Sequence, residues 1–319
     1  MVGQRERWFK RMNVAFCFPG QGSQIPGMGQ EFASDYASAR EVYDEASDAA
    51  GFDVAAACFH GSAEELMDTR VQQPALVATS LACLRAVEET GLRAAAVVGH
   101  SVGEYAALAA AEVISVPTAI ELVRERGKAM ADVATEHPGS MAAIIGLEDA
   151  VVEELCDEVE GAWLANYNCP GQVVVSGRED AIARLLKKAT EKGARRVVPL
   201  RVSGAFHSPL VRAVGDRLAP VLSAVTWLEP KVPFVSTVSG VFENADRIST
   251  GLLDQLAGPV LFTQAVRTLI ASGIDAFIEL GPGQVLSGLV KRCDRSVATL
   301  SISDREGLAK LDEVLGALA

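Results

Sequence analysis

Basic charge is in short supply in this chain. Its 319 residues carry 29 Lys and Arg against 41 Asp and Glu, a formal net charge of −12. Nonspecific nucleic-acid binding needs a basic surface that displaces counterions, so that class is excluded. Long apolar runs are missing too. No uncharged stretch reaches the roughly 18 residues that a membrane span requires. Residues 1–12, MVGQRERWFKRM, carry Arg5, Arg7, Lys10 and Arg11 with no apolar stretch behind them. They read as a short extension before the fold, not as a secretory signal.

Cysteine patterning is also absent. Cys17, Cys58, Cys83, Cys156, Cys169 and Cys293 include no C-x-x-C pair and no metal-ligand spacing with histidine. They are expected to be reduced, mostly buried thiols in a cytoplasmic protein. Aromatic residues make up only 6%, whereas hydrophobic residues make up 49% and charged residues 22%. A core of Ala, Val and Leu suits helices packed on a buried parallel sheet.

What the chain does have is alternation. VAFCF (14–18) reads as a buried strand ending at Pro19-Gly20, and AAAVVG (94–99) as a second. Helical spacing covers 31–50, a stretch starting after Pro74 and reaching Thr90, and Pro117 to Val133. Residues 140–203 change rhythm: strand, helix, two strands split by Cys169-Pro170-Gly171, helix, strand. That β-α-β-β-α-β order is the ferredoxin-like unit. Beyond it come a helix over Val211–Leu222, a strand at PFVSTV (233–238), helices around 250–272 and AFIEL (276–280) as the last strand. The flanking alternation implies a mostly parallel sheet covered on both faces. The predicted domains are 13–137 with 204–319, and an inserted small domain at 138–203.

Gly99-His100-Ser101-Val102-Gly103 fits G-x-S-x-G, with an apolar strand before it and a helix-forming run after it. That is the setting of a nucleophile elbow, which places a serine at a helix N-terminus where negative charge is favoured. A serine nucleophile needs a base. Of four histidines, His60 lies in a polar stretch and His137 in a linker-like TEHPGS. His100 adjoins Ser101, and neighbours on such a turn point apart. His207, where the chain re-enters the large domain, is left as the base. No carboxylate is marked out by pattern to orient it, so another group, such as a backbone carbonyl, is open for that role.

GQGSQ (20–24), GHSVGE (99–104), RGKAM (126–130), NYNCPGQVVVSG (166–177), FHSPLV (206–211) and ELGPG (279–283) occur in order. Together they resemble the malonyl-CoA:acyl carrier protein transacylase family, including polyketide synthase acyltransferases. The resemblance runs from about residue 13 to about residue 300. It implies an α/β-hydrolase-like core with the ferredoxin-like insertion, and a malonyl group carried on Ser101. It implies backbone N–H groups of Gln21 and Val102 as the oxyanion hole, and the Gln255 carbonyl as the group orienting His207. Arg126 would bind the malonyl carboxylate, which a guanidinium fork fits bidentately. Asn168 and Gln172 would either line the same cleft or make structural hydrogen bonds at a strand end. Phe206 before the histidine is similar to the malonyl-selective type. Ala131 stands where the family often has glutamine, so one polar contact near the arginine is expected to be missing.

The expected function is malonyl transfer from coenzyme A to the phosphopantetheine thiol of an acyl carrier protein. No cofactor is expected beyond the coenzyme A thioester substrate. Nor is a nucleic-acid or membrane partner expected, and a monomer is anticipated. The competing reading is a serine acyl hydrolase or thioesterase on the same fold, against which Arg126 argues.

Overall fold

The computed structural model describes residues 13–316, so the reading of residues 1–12 lies outside the described residues. β1 (Val14–Phe18), β2 (Ala96–Gly99), β7 (Phe234–Val235), β8 (Ala276–Leu280) and β9 (Ala298–Ile302) form one sheet in the order β7-β2-β1-β8-β9. Every pairing in it is parallel. β1 shows why its strands read as continuous apolar runs. Val14, Phe16 and Phe18 enter one core, while Ala15 and Cys17 enter the core on the opposite face. Alternate residues point to opposite faces, and here both faces are covered.

The second sheet comes from β3 (Ser140–Ile145), β4 (Ala162–Cys169), β5 (Gln172–Gly177) and β6 (Arg196–Pro199), in the antiparallel order β4-β5-β3-β6. With the helices Asp149–Glu158 and Glu179–Glu191 between its strands, it has the expected ferredoxin-like order. Ala142, Ile144, Val173 and Val175 pack under those helices. Met141, Ala143 and Val174, on the other face, join the main core. The small sheet is thus pressed against the large unit, and the cleft lies along that seam.

Three expectations change. The helix expected after Pro74 runs over Thr69–Glu89, because the Asp68 side chain accepts from Arg70 N and starts it earlier. Pro74 lies inside that helix, in its second turn, where it gives up the bond to the Arg70 carbonyl. The strand over 233–238 shortens to Phe234–Val235, because Ser236 and Thr237 turn to bond Glu104. AFIEL is not the last strand: β9 follows and pairs with it at the sheet edge. All six cysteines are unpaired, with Cys17, Cys58, Cys83 and Cys169 buried. No helix among the described residues is long and apolar enough to cross a membrane.

Candidate active site

Ser101 sits between β2 and the helix Gly103–Ala110, at φ +53°. The glycines around it are required by contact. A Cβ on Gly99 would lie 2.1 Å from Gly103 C, and one on Gly103 would lie 2.1 Å from Phe18 O. Only Ser101, Glu112 and His207 combine positive φ with a side chain among the described residues. Two of these three are the candidate nucleophile and base. Such strain persists where the surroundings over-determine it, and functional sites are where it collects.

His207 Nε2 lies 2.8 Å from Ser101 Oγ, and Nδ1 lies 2.8 Å from the main-chain O of Gln255. A carbonyl can only accept, so Nδ1 carries the proton and Nε2 is free to take one from Ser101. Burial, aided by the Arg126 charge, pushes His207 down to about 3. The imidazole therefore rests neutral, as a base must.

Arg126 is fully buried on the helix Val116–Glu136. Its Nη2 donates to Ser101 Oγ at 3.1 Å and to Gln255 Oε1 at 3.2 Å. The Tyr105 ring lies 5.9 Å from its Cζ. No described carboxylate lies within ion-pair reach of it, and its Nε has no partner. A buried cation without a bound anion is unfavourable unless one is to be supplied. Glu104, one turn beyond Ser101, accepts from Thr237 Oγ1 at 2.6 Å and from Ser236 Oγ at 3.3 Å. Burial raises it to about 7.

Residues 15–312 match the family model for the acyl transferase domain. The malonyl CoA-acyl carrier protein transacylase of Bacillus subtilis is 42% identical over 299 residues, covering 92% of this chain and 94% of that protein. The chain belongs to the malonyl-CoA:acyl carrier protein transacylase family. The transacylase from Xanthomonas oryzae superposes with a TM-score of 0.91 at 39% identity, covering 96% of this chain and 98% of that one. A malonyl-transacylase solved with a type II polyketide synthase acyl-carrier protein also gives 0.91, at 37% identity, over 94% of this chain and 99% of that one.

The cleft of this transacylase-family chain is walled by Gln21, Met130, Met141, Leu200, Val202 and Phe206, with His100, Ser101, Asn166 and His207 also lining it. Within the described residues, the backbone N–H groups of Gln21 and Val102 have no acceptor. Phe206 is buried beside His207. No three His, Cys, Asp or Glu side chains gather as metal ligands would among the described residues.

His100 turns away from Ser101: its Nε2 meets Asn168 Oδ1 at 2.9 Å and its ring packs near Phe262. Asn168 therefore holds the floor of the site through His100. For Gln172 the structural reading is the one observed. Its Oε1 accepts from Arg292, so it ties the small sheet to the helix Val285–Cys293 instead of facing the cleft. Asn166 lines the cleft in its place.

Proposed function

We propose that this chain moves a malonyl group from malonyl-CoA to the phosphopantetheine thiol of an acyl carrier protein, through an ester on Ser101. The observation that carries the reading is one oxygen with two partners. Ser101 Oγ faces a neutral imidazole at 2.8 Å and a buried guanidinium at 3.1 Å. The first partner activates a nucleophile, and the second can read a carboxylate on the acyl group.

In the first half-reaction His207 takes the Ser101 proton as Oγ attacks the thioester carbonyl. The oxyanion faces the N–H groups of Gln21 and Val102. Collapse expels the coenzyme A sulfur, which takes the proton from His207 and leaves as the thiol. In the second, His207 takes the proton of the carrier thiol, whose sulfur attacks the ester. Ser101 then leaves with that proton. These steps use side chains and backbone only, and the reading includes no cofactor. Residues 13–137 with 204–319 form the catalytic domain in this reading, 138–203 the insertion, and the cytoplasm is the compartment.

Arg126→Ala tests the reading. Removing one partner of a buried charge pair costs about 3–5 kcal/mol, a factor of hundreds or more. Self-acylation by malonyl-CoA should fall by that factor, while acylation by acetyl-CoA, which has no carboxylate, should change little. Equal losses for both thioesters would make Arg126 a support of the fold.

Carrier docking must overcome the net charge of −12. A local basic patch can steer an acidic partner even so. Lys188 is engaged by Glu158, Lys291 by the Val297 carbonyl and Arg292 by Gln172. Arg195 and Arg196 are exposed and have no ion-pair partner among the described residues. Reversing both to Glu should weaken transfer to the carrier and leave self-acylation largely intact. The defect should shrink at high salt, where charges beyond roughly 8–10 Å are screened. A parallel loss of both half-reactions would point to damaged folding instead.

A further inference from the structure

Gln255 lies on the helix Ala245–Ala257 and is fully buried. Each of its polar groups meets a different member of the site. The main-chain O accepts from His207, Oε1 accepts from Arg126 Nη2, and Nε2 donates to the main-chain O of Ser101 at 3.3 Å. The amide orientation is fixed by chemistry. A guanidinium only donates and a backbone carbonyl only accepts, so Oε1 must face Arg126 and Nε2 must face Ser101.

We propose that the Gln255 side chain is a positioning residue for acyl selectivity, holding the Arg126 guanidinium in one orientation through both half-reactions. This rests on the reading of Ser101 as nucleophile and Arg126 as carboxylate reader. In the resting enzyme Nη2 has two acceptors, Ser101 Oγ and Gln255 Oε1. Acylation turns Oγ into an ester oxygen, a much poorer acceptor. That contact is lost when the malonyl group arrives, whereas the bond to Gln255 is untouched by the chemistry. No described carboxylate lies within ion-pair distance of Arg126 and its Nε is unpartnered, so beside the Tyr105 ring the amide is the hydrogen-bond acceptor that remains to Nη2.

The amide must also be neutral to serve. A carboxylate at this position would pair with the guanidinium and compete with the substrate. A carbonyl oxygen orients it and leaves its charge for the malonyl group. The second bond, Nε2 to Ser101 O, ties the same amide to the elbow. The carboxylate reader and the acyl-bearing residue are thereby held at a fixed separation, one that suits an acyl chain with its charge two carbons from the carbonyl.

Substitution at 255 keeps the backbone carbonyl that orients His207, so the two roles of this residue can be separated. Gln255→Met should lower kcat/KM for malonyl-CoA self-acylation about 10- to 50-fold, the scale of a lost hydrogen bond to a charged group, mainly through KM. Labelling of Ser101 by an uncharged fluorophosphonate should slow by no more than about threefold, with the midpoint of its pH profile unmoved, because that reagent carries no carboxylate for the guanidinium to read. In an Arg126→Ala background the same substitution should change malonyl acylation by less than about threefold, since coupled residues are not additive. Gln255→Glu, which restores an acceptor but adds a counter-charge, should lose malonyl acylation at least as far and keep its labelling. It carries the comparison if Gln255→Met does not fold. Equal losses of malonyl acylation and labelling, or full additivity with Arg126→Ala, overturn the proposal. Failure of wild-type protein to form a malonyl ester on Ser101 would instead remove the reading beneath it.

Discussion

Malonyl-CoA mixed with the wild-type protein should add the mass of one malonyl group, and Ser101→Ala should add none. Intact-protein mass spectrometry reads the result directly, and peptide mapping assigns the site. The expectation follows from geometry. Ser101 Oγ is the hydroxyl within hydrogen-bond distance of His207 Nε2, and the strained elbow presents it to the cleft. Near a neutral base its nucleophilicity is raised, and no second hydroxyl shares that contact among the described residues. A malonyl adduct that persists in Ser101→Ala would sink the assignment.

His207→Ala should lower transfer by about two to four orders of magnitude, the range for a lost general base. The backbone N–H groups of Gln21 and Val102 remain in that variant and account for the residue of activity. Near wild-type rates would return the role to His100, which lines the same cleft. The variant should also alter stability against pH. In the fold His207 is depressed to about 3 from the ordinary 6.5. Between those values the unfolded chain binds a proton that the native one refuses. The contribution of His207 is therefore fully present above 6.5 and is lost as pH falls toward 3. Thermal melts over that window should decline less steeply in His207→Ala than in wild type.

The buried strands were legible in the sequence because a strand covered on both faces leaves a short apolar run with abrupt ends. AFIEL matches β8 residue for residue. β9 was missed because an edge strand is half exposed, and its serine and threonine residues read as loop. The elbow was legible from local contacts alone. His207 was legible only by elimination, since 106 residues separate it from Ser101 and nothing local says that they meet. Arg126 could not be told from Arg124 by pattern. Helical spacing gives a face but not a depth, and Arg124 proves to be part-exposed, bonded to the Ala49 carbonyl and paired with Glu125. The group that holds His207 is a main-chain oxygen, for which no residue type is a marker. Gln172 stayed open between two readings for a related reason: a polar residue opening a hairpin strand can face either way, and only the position of the helix Val285–Cys293 decides.

An enzyme that trades an acyl group between two outside thiols carries six sulfhydryls of its own, and any of them could in principle intercept the cargo. Thioester exchange proceeds through the thiolate. Burial pushes Cys58, Cys156 and Cys293 up to about 12 and raises Cys17, Cys83 and Cys169 as well. At neutral pH these sulfurs stay protonated and inert. The free pantetheine thiol of the carrier then has no internal rival, and a malonyl unit parked on the serine is not drained into dead-end thioesters within the protein.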